Sequence, residues 1–189
     1  MTRSYTIVYG VVFIIFSYKD AQHMQQVELN QPVPDFELPS TGDSTFRLSD
    51  HLGKNIVIYF YPKDNTPGCT LEGQNFRDHI KEFEAKETLI FGISRDSVRV
   101  HEGFKTKQSF PFELLSDADE MACKLFDVIK LKKNYGREYM GIVRSTFLID
   151  KKGVLRQEWR NVKVKAVSYT HLRAHETRYV ISYAVFCLK

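Results

Sequence analysis

The sequence predicts an α/β domain in which a mixed β-sheet carries helices on both faces. Two unbroken apolar stretches, 56–61 and 89–93, are typical of buried strands, and a segment with helical spacing follows each of them. Near the end of the domain, 146–149 and 154–159 flank the turn 150–153 and indicate a hairpin. Strands that alternate with helices early and pair as a hairpin late predict a sheet of mixed direction.

An N-terminal hairpin is the first expected element. Residues 34–39 and 45–48 alternate in polarity around the turn-forming residues 40–43, as two antiparallel strands do. Residues 49–54 are typical of a turn that connects this hairpin to the first buried strand.

Three helices are predicted between the strands. The first has apolar residues spaced i, i+4 and i+7 over 76–83. The second begins after Asp96, which we take as its cap, and the third spans 121–126. A short extended segment, 110–115, is expected between the second and the third helix.

Cys69 lies where the first buried strand turns into the first helix. Thr66 is a good N-cap and Pro67 a good first helical residue, which would place Cys69 in the first turn. Backbone N–H groups in that turn lack intrahelical partners, and the positive end of the helix dipole favours an anion there. A thiol in this position ionises more readily than a free one, so the sequence points to a nucleophilic cysteine.

Each candidate site residue also has a simpler interpretation. Isolated buried cysteines are usually small core residues, although the polar turn around Cys69 argues against that here. Thr66 is either only an N-cap or a cap and a hydrogen-bond donor together. Arg144 and Arg95 taken alone fit solvated cations, and Glu72 fits a charge that favours the start of the helix.

The motif around Cys69 resembles a known family. Pro62, Thr66 and Cys69 have the P-x-x-x-T-x-x-C spacing of the peroxiredoxins. The longer string TPGCTLEGQNFRD is similar to the bacterioferritin-comigratory, or PrxQ, branch of the AhpC/TSA family. Three further segments match that branch in order and approximate spacing: 91–96, 115–117 and 144–150. The resemblance covers residues 24–166.

The resemblance implies a thioredoxin-like fold and a thiol peroxidase for hydrogen peroxide and small organic hydroperoxides, with no metal, haem or flavin. Cys69 would be the peroxidatic cysteine and would become a sulfenic acid. Thr66 would hydrogen-bond the sulfur and the peroxide, and Arg144 would place its guanidinium beside both of them. Pro62 would shape the loop and shield the sulfenic acid from water.

The chain departs from this branch at one position. Many members carry a resolving cysteine five residues after the peroxidatic one, and Gln74 stands there in this chain. Cys123 is then either a resolving cysteine or, as we favour, a buried structural thiol. We therefore expect an external thiol to attack the sulfenic acid, with thioredoxin, glutaredoxin and glutathione all open.

Two other functions compete with the peroxidase. A peroxide sensor would pass the oxidised state of Cys69 to a partner protein instead of turning over. A binding module without chemistry would use the fold alone, but the joint presence of Pro62, Thr66, Cys69 and Arg144 argues against it.

Composition restricts the function further. The formal charge of +4 comes mostly from the two ends of the chain, so the central segment offers no basic patch for nucleic acid or membrane. Residues 130–133 are predicted to be a solvated loop. No Cys-x-x-Cys occurs, which excludes a thioredoxin-like dithiol oxidoreductase, and no zinc spacing or phosphate-binding loop is present. The sparse cysteines favour a reducing, cytoplasmic compartment, and we expect a monomer.

Both ends of the sequence are set aside from the domain 24–166. Residues 1–23 fit a mis-called leader, since the apolar run 6–16 is shorter than the roughly 20 residues of a membrane span. Residues 167–189 resemble translated sequencing-adapter read-through, so their histidines and cysteine are given no role. The domain is then expected to lack the C-terminal helix that the resembling family carries.

Overall fold

The fold is described by a computed structural model that covers residues 26–134 and 136–164. The helices and strands of these residues are, in chain order, β1 Glu37–Ser40, β2 Ser44–Arg47, β3 Asn55–Phe60, α1 Pro67–Asp78, α2 Ile80–Glu84, β4 Thr88–Ser94, α3 Val98–Gln108, β5 Glu113–Ser116, α4 Met121–Leu125, β6 Ile129–Asn134, β7 Arg137–Ile142, β8 Ser145–Ile149 and β9 Leu155–Arg160. A 3-10 turn, Leu48–His51, connects the first hairpin to β3 and occupies the predicted connecting segment.

A seven-stranded mixed sheet forms the centre of the domain, in the order β2-β1-β5-β4-β3-β8-β9. β3, β4 and β5 run parallel to one another, while β8 pairs with β3 and β9 pairs with β8 in the antiparallel sense. β1 and β2 form the expected N-terminal hairpin at one edge. The predicted mixed sheet is therefore confirmed.

Both faces of the sheet are buried, which explains the continuous apolar sequence of β3. Ile56, Ile58 and Phe60 enter one core cluster, while Val57 and Tyr59 enter the other. The first cluster also contains buried residues of α4, and we call it the α4 layer. The second contains buried residues of α1, α2 and α3, and we call it the α1 layer. Helices thus cover both faces, as predicted.

Two details of the predicted helices are wrong. The helix expected over 76–83 is interrupted at His79, where α1 has ended and α2 has not begun. The N-cap of α3 is Ser97 and not Asp96. The Asp96 carboxylate instead accepts hydrogen bonds from the backbone N–H of Asp64 at 2.8 Å and from the Ser94 hydroxyl at 2.9 Å.

The predicted solvated loop at 130–133 is also wrong. These residues belong to β6, which pairs with β7 in a separate two-stranded antiparallel sheet. Leu131 and Met140 face each other across this hairpin and are both exposed. Because β7 leads directly to Arg144, the hairpin lies next in sequence to a predicted site residue.

Several expectations concern residues outside the described part of the chain. These are the leader 1–23, the tail 167–189 with His171, His175 and Cys187, and the absence of a C-terminal helix. None of the helices within 26–134 and 136–164 is long and apolar enough to cross a bilayer.

Candidate active site

The first turn of α1 carries Cys69 as the sequence predicts. Thr66 is the N-cap, with extended backbone angles of φ −89° and ψ 148°, and Pro67 is the first helical residue. Cys69 is consequently the third residue of the helix. The Thr66 side chain makes no capping bond, and its hydroxyl donates to the carbonyl oxygen of Lys63 at 3.0 Å. Pro62 is half-buried in the loop that leads from β3 to this turn.

Arg144 reaches the sulfur of Cys69 from the segment between β7 and β8. Its Nη2 donates to Cys69 Sγ at 3.1 Å. The sulfur lies in the α1 layer, where Cys69 is only 2% exposed, and the Arg144 side chain is 14% exposed. The antiparallel pairing of β8 with β3 brings Arg144 to the end of β3 from which the Cys69 loop departs. The structure therefore unites the two residues on which the sequence interpretation depends.

Glu72 holds the other side of the guanidinium. It lies one turn after Cys69 on α1, is 0% exposed, and accepts a hydrogen bond from Arg144 Nη1. Burial raises the pKa of Glu72 from 4.5 to about 7, against the charge and hydrogen bond of Arg144, which lower it. Within the described residues its Oε1 has no hydrogen-bond partner. The i, i+3 spacing from Cys69 to Glu72 was a signal that both share one helix face.

A second buried network fixes the loop that precedes Cys69. The Asp64 carboxylate accepts from the Tyr61 hydroxyl at 2.7 Å and lies 2.8 Å from Nδ1 of His101 on α3. Nε2 of the same ring lies 3.2 Å from the carbonyl oxygen of Leu115 on β5. Two elements, α3 and β5, thus anchor the loop from within. Sequence reasoning missed this pair, since nothing local indicates that Asp64 and His101 are both buried.

Gln74, at the position of the absent resolving cysteine, connects α1 to α3. Its amide Nε2 donates to Gln108 Oε1 at 2.9 Å. Arg77, one turn further along α1, donates from Nη1 to the Gln108 carbonyl oxygen at 2.9 Å. Arg95 lies in a different interaction, an ion pair with Glu120 at 2.8 Å, so the structure does not bring it to Cys69.

The structure does not bring Cys123 to Cys69 either. Cys123 is fully buried in the α4 layer, on the opposite face of the sheet from the sulfur of Cys69. Burial first, and then the charge and hydrogen bond of Asp117, raise the pKa of Cys123 far above its ordinary value. A disulfide between them would require the layers to separate, because bridged Cα atoms lie within about 7 Å. This placement favours a structural thiol over a resolving cysteine.

No group of three or more His, Cys, Asp or Glu side chains among the described residues is arranged as a set of metal ligands.

Comparison with known proteins decides the family. The model of the AhpC/TSA family matches residues 29–158. The chain is 54% identical to Peroxiredoxin Bcp of Bacillus subtilis over 139 residues, which cover 74% of this chain and 88% of the relative. The chain belongs to the AhpC/TSA family. Within this family its relatives are peroxiredoxins of the Bcp, or PrxQ, type, as the motif around Cys69 indicated.

Solved structures of this family agree with the fold. The bacterioferritin comigratory protein of Xanthomonas campestris, described for its alkyl peroxide reduction activity, is 48% identical with a TM-score of 0.68, over 73% of this chain and 88% of that one. A cysteine-to-serine mutant of Xylella fastidiosa PrxQ is 41% identical with a TM-score of 0.70, over 75% and 90%. The AhpC/TSA member described here has the thioredoxin-like peroxiredoxin fold and is a thiol-dependent peroxidase.

Proposed function

We propose that Cys69 is the nucleophile with which this peroxidase reduces hydrogen peroxide and organic hydroperoxides. Its thiolate attacks one peroxide oxygen, so that an S–O bond forms while the O–O bond breaks. The sulfur is oxidised to a sulfenic acid, and the departing oxygen takes up a proton to leave as water or an alcohol. The observation that carries this proposal is the 3.1 Å contact between Arg144 Nη2 and Cys69 Sγ.

Arg144 acts at two moments of the reaction. Before attack its guanidinium donates a hydrogen bond to the sulfur that attacks the peroxide. During attack the same group lies beside the departing oxygen, where negative charge develops. Glu72 positions the guanidinium by occupying Nη1, which leaves Nη2 directed at the sulfur. One donor of this kind contributes roughly 3 kcal/mol to the barrier reduction.

Thr66 and Pro62 complete the proposed peroxide site. The hydroxyl proton of Thr66 is used on the Lys63 carbonyl, so the hydroxyl oxygen is free to accept a hydrogen bond from the O–H of the peroxide. Pro62 offers no N–H to the loop and covers the site with an apolar ring. The bond from Thr66 to the sulfur that the family resemblance implies would require the hydroxyl proton to leave the Lys63 carbonyl.

An external thiol is proposed to regenerate Cys69. Gln74 cannot form a disulfide, and Cys123 lies on the other face of the sheet. The reductant thiolate attacks the sulfenic sulfur and releases water, and a second thiol then reduces the mixed disulfide. Thioredoxin, glutaredoxin and glutathione all supply this chemistry in a reducing cytoplasm, where we place the reaction.

Mass spectrometry after one equivalent of peroxide tests both the nucleophilic role of Cys69 and its regeneration by an external thiol. In the parent protein we expect a sulfenic acid on Cys69 that dimedone traps, and catalytic turnover with thioredoxin and its reductase. Cys123→Ser is the matched control and should behave like the parent. A Cys69–Cys123 disulfide would overturn the one-cysteine cycle. A Cys69→Ser protein with parental activity would remove the role of Cys69, and a single stoichiometric oxidation would favour the sensor.

A further inference from the structure

His101 is a buried side chain that the proposed reaction does not use. It lies on α3, is 0% exposed, and each of its ring nitrogens faces an acceptor. Nε2 lies 3.2 Å from the carbonyl oxygen of Leu115, which can only accept, so Nε2 carries a proton. Nδ1 lies 2.8 Å from Oδ2 of the buried Asp64. This second contact also needs a proton, because two lone pairs would otherwise face each other in the core.

The surroundings of the pair favour that proton on the ring. The other carboxylate oxygen of Asp64 accepts a hydrogen bond from the Tyr61 hydroxyl at 2.7 Å, and this bond favours the carboxylate over the acid. The same hydroxyl lies 3.4 Å from Nδ1, but its one proton is used on Asp64. Imidazole is also a stronger base than a carboxylate. The contacts therefore favour an imidazolium paired with a carboxylate.

Asp64 lies at the centre of the loop between β3 and α1. Its neighbours in this loop include Pro62 and Thr66, the two residues proposed to complete the peroxide site. The backbone N–H of Asp64 donates to Asp96 Oδ2 at 2.8 Å, so its backbone and its side chain are both held. The next residue, Asn65, has a φ of 57°, in the left-handed region that few residues adopt. Such a backbone conformation persists where the surrounding structure fixes it.

α3 holds the Cys69 segment on both sides. His101 bonds the loop before the cysteine, and Gln108, further along the same helix, bonds Gln74 after it. We propose that His101, as an imidazolium, is a positioning residue, which holds the Asp64 carboxylate and so keeps the loop aligned beside Cys69. The proposal rests on the peroxide site proposed above and adds α3 to the elements on which that site depends.

Two substitutions separate positioning from a general effect on stability. His101→Leu removes both ring nitrogens and leaves the loop without its bond to α3. Asp64→Asn keeps the shape of the carboxyl group, and its amide N–H can donate to an Nδ1 that has lost its proton. Lys105→Met is the matched control, because it breaks the ion pair between α3 and Glu113 on β5 without touching the loop.

Three measurements are made on each protein. Nitrogen NMR reports which ring nitrogens carry a proton, and the signals of His101 are those that His101→Leu lacks. Stopped flow gives the rate of Cys69 oxidation by hydrogen peroxide, which needs an aligned site. Alkylation by iodoacetamide, followed on the Cys69 peptide by mass spectrometry, needs only an accessible thiolate. Alkylation of Cys123, which is 0% exposed, reports opening of the whole domain in the same sample.

At neutral pH we expect a proton on both ring nitrogens of His101 in the parent, and on Nε2 alone in Asp64→Asn. His101→Leu should react with hydrogen peroxide roughly tenfold more slowly, because its site is misaligned. Its Cys69 should nevertheless be alkylated faster than in the parent, because the loop opens more often. Asp64→Asn and Lys105→Met should match the parent in both rates.

The proposal is overturned if the parent ring carries one proton, or if His101→Leu keeps the parental peroxide rate. Alkylation of Cys123 that rises as much as that of Cys69 would show a general loss of stability and would also overturn it. The same holds if Asp64→Asn or Lys105→Met is as slow as His101→Leu. The ring protons are read without turnover, so a Cys69→Ser protein with parental activity would contradict the role of Cys69 and leave the NMR result legible.

Discussion

Replacing Glu72 with Gln should make the protein more stable and less active. The carboxylate is fully buried, one of its oxygens has no partner among the described residues, and burial raises its pKa to about 7. Glutamine keeps the shape of the protonated acid and still offers an oxygen to Arg144. The substitution therefore removes a buried charge without opening a cavity.

The magnitude follows from the difference between the folded and unfolded pKa. Raising the pKa of Glu72 from 4.5 to about 7 costs about 3 kcal/mol once the carboxylate is ionised. Below pH 4.5 the acid is protonated in both states, and the penalty is absent. As the pH rises toward 7, the unfolded chain releases its proton first, so the stability of the parent falls. Glu72→Gln does not lose stability in this way, so its free energy of unfolding should exceed that of the parent by up to about 3 kcal/mol above pH 7.

Urea denaturation at acidic and at mildly alkaline pH measures this difference. The difference in the free energy of unfolding between Glu72→Gln and the parent should be small at acidic pH and large at mildly alkaline pH. Stopped-flow measurement should also show oxidation of Cys69 that is roughly tenfold slower, because a neutral amide holds the Arg144 guanidinium beside the sulfur less firmly than the carboxylate does. Glu87→Gln is the control, because the pair of Glu87 with Lys151 lies at the surface and should leave both quantities unchanged. A Glu72→Gln protein less stable than the parent in alkali would refute the reasoning.

Three further substitutions test the rest of the site. Arg144→Lys keeps the charge but loses the two-pronged contact with carboxylate and sulfur, so the rate with hydrogen peroxide in stopped flow should fall roughly 100-fold. A rate near that of the parent would show that charge alone suffices. Gln74→Cys should form a disulfide with the oxidised sulfur when the start of α1 opens, detected as a mass loss in non-reducing spectra; persistent sulfenic acid would contradict this. His101→Gln should lower the free energy of unfolding in urea by about 2 kcal/mol, because it removes a buried hydrogen bond to the Asp64 carboxylate, which then keeps only the Tyr61 hydroxyl. An unchanged unfolding midpoint would show that the pair contributes nothing.

The centre of the sheet could be predicted because β3 and β4 are buried on both faces. The continuous apolar run of β3 and that of β4 leave no other assignment, and the turn before β9 marks the late hairpin. β6 was missed although Ile129 and Leu131 alternate with lysines, as strand residues do. The high charge of residues 130–133 outweighed this alternation, and only the end of the hairpin at Ile129 and Ile142 packs against the core.

The site residues also differ in whether their positions depend on local sequence or on contacts between distant parts of the chain. The helix start at Thr66 and Pro67 is a local property, so the place of Cys69 could be predicted from its neighbours. The contact of Arg144 with the sulfur depends on how β8 pairs with β3, and only the family resemblance anticipated it. Burial of Glu72 depends on packing across the α1 layer, which no local sequence pattern encodes.

The nearly closed surroundings of Cys69 affect its two reaction partners differently. A peroxide is small enough to reach a residue that is only 2% exposed, whereas another protein is too large to contact its sulfur. The start of α1 has to detach before such a reductant docks, against the fastening of Gln74 and Arg77 to α3. The rate at which a protein thiol reduces oxidised Cys69 should therefore level off at high reductant concentration, at the rate with which the start of α1 opens. The rate with a small thiol should show no such plateau.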